Sequence, residues 1–226
     1  MPHIAVFGGT GRSGQCVIEE ALSRKYTLTI LARNPSKLPG RITSSPSVTV
    51  IQGSLSDRDA LTRAIHGADA VLSTLGPTLS ISTALHGLHD HSVPLTEGYK
   101  LIIDVMQAEG VKRLIALGTV SNQAEEDGSS LVKMGMVTAV WVFLHSAWRD
   151  IVELGKVIQA SGEKGIDWTI ARVARLTDGG GGEVEAGYVG KDGTGVCLAR
   201  KDLGKWYLDE LENGKWIHQM PVVHSK

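Results

Sequence analysis

Residues 4–14 read IAVFGGTGRSG, from Ile4 through Gly8, Gly9, Thr10, Gly11, Arg12 and Ser13 to Gly14. A short apolar strand runs into a glycine-rich turn, and Val17, Ile18, Ala21 and Leu22 then follow at helical spacing. Gly9, Gly11 and Gly14 satisfy G-x-G-x-x-G, while Gly8, Gly11 and Gly14 satisfy the related G-x-x-G-x-x-G. Glycine lets a backbone approach phosphate closely, and the amides and dipole at a helix N-terminus attract its charge. The strand before the turn and the helix after it supply the context in which such a turn cradles a dinucleotide diphosphate rather than only making a bend.

Outward from this turn the chain alternates strands with helices. Apolar runs at Ile4–Phe7, Leu28–Ala32, Val48–Ile51, Ala70–Leu75, Arg113–Leu117 and Trp168–Ala171 read as buried parallel strands. A helix over Arg58–His66 follows Ser56 and Asp57 as caps, and one over Glu97–Ala108 follows Thr96 and closes at Gly110. The implied fold is α/β, a doubly wound parallel sheet of the Rossmann-like kind with a small C-terminal substrate cap. The 226 residues form one domain, with cap elements in about 120–148 and 177–226. Gly179–Gly182 reads as a hinge or loop, Leu198–Leu211 as a terminal helix and Gly214–Pro221 as a closing strand. Met134–Leu144 is apolar but too short to span a bilayer, so a buried or pocket-lining segment is expected.

Net charge is −1 and the charges are interspersed, which leaves no electrostatic case for nucleic acid or an anionic membrane. The expected partner is a small-molecule substrate, and the expected state a monomer or homodimer. Cys16 and Cys197 are the two cysteines, far apart and without metal-like spacing, which suits a reducing compartment. The opening MPHIAVFGG enters a strand directly without a secretory pattern, so a cytoplasmic protein is expected.

The end of the second strand selects the cofactor. A carboxylate there suits the ribose of NAD, whereas a cation suits the extra phosphate of NADP. The chain reads LTILARNPSKLP, placing Arg33 at that position and Lys37 four residues on, with Arg12 in the first turn and no acid nearby in sequence. These cations can form a 2′-phosphate pocket. The alternative is three solvated surface charges.

GGTGRSG, LARNPSKLP, QGSLSD, STLGPT, TEGYKLIIDVMQAEGVKRLIALGT and GIDWTIAR together resemble the atypical short-chain dehydrogenase/reductase group. Within it, the flavin reductase (biliverdin-IXβ reductase) and NmrA-like proteins are the nearest match. The resemblance covers residues 3–119 and returns over 161–223. It implies that Gly8, Thr10, Gly11, Arg12 and Ser13 line the diphosphate and that Arg33 and Lys37 hold the 2′-phosphate of NADPH. It further implies that Ser54 and Leu55 flank the adenine and that Leu75, Gly76 and Pro77 run beside the nicotinamide ribose. Thr119 falls where the family places a serine, and its hydroxyl can hydrogen-bond a substrate carbonyl as charge develops there. A threonine at a strand end is also a common structural choice. Ser121 is the substitute if the register differs.

The Tyr-x-x-x-Lys of mainstream members is missing, since no tyrosine occurs between Tyr99 and Tyr188. At the spacing expected from Thr119 the chain offers His145 and Arg149, an i, i+4 pair that can supply a proton donor and a charge. Counting back from Ser161 instead brings Ile151 and Gly155 to those positions, and catalysis then proceeds without a side-chain acid, as when a flavin or quinone takes hydride and draws its proton from water. His86, His89 and His91 are read as part of a substrate-facing loop, with no metal expected. Trp141, Phe143 and Trp148 are core aromatics or walls of a hydrophobic pocket. The function expected is NADPH-dependent hydride transfer to a small apolar or aromatic acceptor. Its rivals are an NmrA-like sensor that binds dinucleotide without turnover and an isomerase or cyclase on the same fold.

Overall fold

A computed structural model describes residues 2–76, 95–128, 145–179, 181–191 and 195–226, with the side chains of 145–148 outside that set. The apolar runs form β1 (His3–Phe7), β2 (Thr27–Ala32), β3 (Val48–Gln52), β4 (Ala70–Ser73), β5 (Arg113–Thr119) and β6 (Asp167–Val173). Two later strands, β8 (Val184–Gly187) and β10 (Val222–Ser225), complete a sheet ordered β3-β2-β1-β4-β5-β6-β10-β8. Neighbours from β3 to β10 run parallel, and β8 alone is antiparallel, on β10. The order in which strands are added switches sides between β1 and β4, where Phe7 pairs with both Leu31 and Ser73. That switch point opens a crevice beyond the strand ends.

Both faces of the sheet are covered, which is why its strands are apolar without alternation. On one face α3 (Arg58–Ile65), α4 (Leu95–Glu109) and α5 (His145–Ala160) bury Leu61, Ile65, Tyr99, Ile102, Leu154 and Ile158 against Ala5, Phe7, Leu114 and Ala116. On the other, α1 (Arg12–Ser23) and α6 (Arg200–Asn213) bury Val17, Ile18, Leu203 and Tyr207 against Ile4, Val6, Leu72 and Ile115. The short α2 (Gly40–Thr43) adds Ile42 to this second layer.

Asp57 caps α3 by accepting a hydrogen bond from the Ala60 amide, and Gly110 ends α4 with φ +73°. Thr96, read from sequence as a cap, lies inside α4. The cap comes instead from Asp150 on α5, whose carboxylate accepts from the Leu95 and Thr96 amides at 3.2 and 3.3 Å. Asp150→Ala is therefore expected to lower stability by about 1 kcal/mol in urea unfolding, through loss of an inter-helix cap.

The C-terminal third departs from the sequence reading. Gly214–Pro221 is a loop containing one isolated bridge, Thr169 to Gln219, and the closing strand starts only at Val222. Within 177–226, α6, β8 and β10 build the main layers. A separate two-stranded sheet, β7 (Arg175–Thr177) with β9 (Cys197–Ala199), continues from the end of β6. Met134–Leu144, His86, His89, His91, Trp141 and Phe143 lie outside the described residues. Among those described, no helix is long and apolar enough to cross a membrane.

Candidate cofactor and substrate site

Two glycines of the turn, Gly8 and Gly14, have no room for a side chain. Gly8 has φ +81°, and a Cβ there would lie 2.8 Å from Thr74 Oγ1 and 2.9 Å from the Leu75 nitrogen. A Cβ on Gly14 would lie 2.3 Å from the Gly8 carbonyl oxygen. That carbonyl accepts from the Gly11 amide at 3.0 Å, closing the turn onto the start of α1. Gly11 precedes the helix in extended conformation, and no side chain caps the first-turn amides. Uncapped amides behind a glycine backbone make an anion site, so the residues present fit a diphosphate.

Arg33 and Lys37 follow β2 at the same end of the sheet, exposed, and neither makes an ion pair among the described residues. Arg12 differs from expectation. Asp178, at the end of β7, pairs with Arg12 and also with Arg200 at 2.5 Å. This acid lies 166 residues away in sequence and reaches the turn only because β7 continues from β6 past the sheet edge. The Arg12 and Asp178 side chains are 70% and 53% exposed, so the pair is worth little and can yield to a bound anion.

Ser54 and Leu55 follow β3, with the Ser54 and Ser56 hydroxyls 2.9 Å apart and Leu55 packed over Gly98 of α4. Leu75 and Gly76 follow β4, and Pro77 lies outside the described residues. The end of β4 is clamped from both faces. The Tyr99 and Ser73 hydroxyls are 2.6 Å apart, and the Tyr207 hydroxyl donates to the Ser73 carbonyl at 3.0 Å. Burial pushes both phenols well above their ordinary range, so they stay protonated as hydrogen-bonding struts.

Beyond the ends of β4, β5 and β6 lies a cavity of about 260 Å³. Leu75 and Gly76 form one side, Leu117 to Asn122 the floor, Ile170, Val173, Ala174 and Leu176 a second side, and Ile151, Leu154, Gly155 and Ile158 of α5 the wall. None of these lining residues carries an ionisable side chain. Thr119 and Ser121, the two hydroxyls expected from sequence, both line it. The Ser121 amide donates to Thr119 Oγ1 at 3.2 Å, which leaves the Thr119 hydroxyl proton available to a ligand.

The strand-end loop that carries these groups is held by a buried ion pair. Arg172 is fully buried and donates to both Asp127 carboxylate oxygens, at 2.6 and 2.8 Å, and to the Asn122 carbonyl at 2.9 Å. Asp127 in turn accepts from the Ala124 and Val189 amides.

The structure does not bring Arg149 to the cavity. It is exposed on the first turns of α5, and His145 begins the helix with its side chain outside the described residues. The cavity-facing positions are those counted back from Ser161, namely Ile151 and Gly155. Ser161 is buried at the helix end and leads directly into β6, whereas the count from Thr119 crosses residues 129–144, which lie outside the described residues. Asn122, Arg172 and Asp127 were not singled out in the sequence. The GTVSN segment after β5 gives no signal of its own, and the ion pair joins positions 45 apart.

Known proteins resemble this chain in sequence and in fold. A reductase of Aspergillus terreus, pytE, is 25% identical over 247 aligned positions, covering 93% of this chain and 91% of that protein. The decarboxylating sterol-4-alpha-carboxylate 3-dehydrogenase of Dictyostelium discoideum is 30% identical over 97 residues, 43% of this chain. The match takes in 29% of that dehydrogenase, so the chain spans under a third of its length. Among solved structures, a short-chain dehydrogenase/reductase of Veillonella parvula in complex with NADP superposes with TM-score 0.78 at 18% identity, covering 99% of this chain and 94% of that one. This likeness shows the Rossmann-like fold. A family model described as NAD(P)H-binding matches residues 8–214, from the glycine turn to the end of α6, and the chain belongs to that NAD(P)H-binding family.

Proposed function

We propose that the protein is an NADPH-dependent reductase that delivers hydride to a small apolar or aromatic acceptor of the ketone, quinone or flavin type. The observation that carries this is the cavity beyond β4, β5 and β6, apolar, with no ionisable lining residue among the described residues, and adjoining the glycine turn through Leu75 and Gly76. When bound, the reduced nicotinamide supplies a hydride from its C4 atom. The chain's own contribution is placement. The uncapped α1 amides hold the diphosphate, the clamped end of β4 fixes the ribose side, and the apolar walls keep water from the transfer. The Thr119 hydroxyl donates to the acceptor oxygen as negative charge develops. None of the lining side chains among the described residues is ionisable, which favours flavins and quinones, whose reduced anions collect a proton from water.

Arg33 and Lys37, exposed and without an ion pair among the described residues, support NADPH over NADH. Arg33→Glu is expected to weaken NADPH binding by about 1.5–3 kcal/mol, roughly 10- to 150-fold, with little change for NADH. Equal losses for the two cofactors in parallel titrations would count against the 2′-phosphate assignment.

The test of the activity is NADPH oxidation with a panel of quinones, flavins and aromatic ketones between about pH 6 and pH 9. Turnover of the first two classes with a flat pH profile is expected. A profile rising below neutral pH would return His145 to the mechanism. The missing Tyr-x-x-x-Lys also favours the sensor, which would bind NADPH tightly and oxidise none of it.

A further inference from the structure

We infer that Asn122 is a positioning residue, an amide tie that occupies the place on α5 left by the absent tyrosine and lysine and holds Thr119 in register with the cavity. The inference rests on the reductase assignment above. Asn122 is 5% exposed, and its side chain is used at both ends. Oδ1 accepts from the Thr119 amide at 3.0 Å, and Nδ2 donates to the Ile151 carbonyl at 2.9 Å. Its backbone closes the same turn, the amide donating to the Thr119 carbonyl at 3.0 Å and the carbonyl accepting from Arg172. One side chain thus joins the end of β5 to the middle of α5, across the wall and floor of the cavity.

Gly155 is the complement of this tie. A Cβ there would lie 2.3 Å from Nδ2 and 3.2 Å from Cγ of Asn122, so the absence of a side chain at the helix position admits the amide. The arrangement is neutral. It fixes the Thr119 hydroxyl through its backbone without adding a group that titrates, and a misplacement of about 1 Å at a reacting centre can cost on the order of 100-fold in rate.

The experiment combines amide hydrogen exchange with steady-state kinetics on the full chain. In Asn122→Ala, the Thr119 amide is expected to lose protection while amides in β1 and β2 keep theirs. kcat should fall about 10- to 100-fold with the NADPH dissociation constant within about threefold. Gly155→Ala, which displaces the amide without removing it, should reproduce both effects. Asn122→Asp supplies the reading that a merely structural residue would not give. Its ionised carboxylate accepts from Thr119 but has no hydrogen for Ile151, whereas its protonated form has one. Turnover should therefore recover as pH falls from about 8 to about 5, where the wild type is flat. Unchanged Thr119 protection in Asn122→Ala and Gly155→Ala, or kcat unaltered in both, would overturn the inference. If none of the acceptors supports NADPH oxidation by the wild type, the reductase assignment fails separately, and Thr119 exchange alone decides the tie.

Discussion

Arg172→Met is expected to lower the unfolding free energy by about 3–5 kcal/mol, the cost of leaving one partner of a buried pair without its counter-charge. The side chains of Arg172 and Asp127 are 0% and 5% exposed, so solvent cannot take over when the guanidinium is removed. The carboxylate would lose both guanidinium hydrogen bonds, and the loop would lose the guanidinium bond to the Asn122 carbonyl. Urea unfolding should show the loss as a lower midpoint at unchanged slope. The Arg172→Met, Asp127→Leu double variant should be less destabilised than the sum of the single variants, because removing both charges leaves neither stranded. A loss under about 1 kcal/mol for Arg172→Met would mean that the pair behaves as a surface contact and does not hold the strand-end loop.

Gly14→Ala is expected to weaken NADPH binding by at least about 100-fold, equivalent to two charge-assisted hydrogen bonds, and to reduce stability by about 1–3 kcal/mol. The added Cβ would meet the Gly8 carbonyl oxygen at 2.3 Å, Gly9 Cα at 2.7 Å and Gly8 carbonyl carbon at 2.8 Å. All three are backbone atoms, so no rotamer change relieves the contact. The turn must open, and the amides aimed at the diphosphate move with it. NADPH titration beside thermal unfolding separates the two effects. Affinity within about threefold of wild type, in a protein that has kept its fold, would show that the turn does not form the phosphate cradle.

What the sequence made legible follows from burial. β1, β2, β4, β5 and β6 are largely buried and the edge strand β3 is half-buried, so each reads as a short apolar run, and every one of those runs lies in or overlaps a strand of the sheet. The glycine turn was legible because its requirements are local, set by residues within seven positions of one another. Features built from distant partners were not. Asp178 reaches Arg12 across 166 positions, and Asp150 caps a helix that begins 55 residues earlier. The strands β7, β8 and β9 are three or four residues long and largely half-buried, too short to carry a period. Gly214–Pro221 read as a strand because Trp216, Ile217, Met220 and Pro221 are mainly apolar, but Lys215, His218 and Gln219 interrupt it, and His218 takes φ +59°. On α5 the sequence left two registers open. Of the positions so named, Ile151 and Gly155 line the cavity, on the face where Ile151, Leu154 and Ile158 turn inward together.

The most direct test of the central claim is made on the purified protein in one cuvette. Nicotinamide fluorescence is followed as NADPH and then NADH are titrated in, and a soluble quinone is added to the preformed NADPH complex. NADPH should bind at least about tenfold more tightly than NADH, and the reduced signal should then decay in a single turnover that depends on the quinone. A complex that keeps its reduced signal with every acceptor would contradict the reductase, and an absence of NADPH binding would contradict the cofactor site itself.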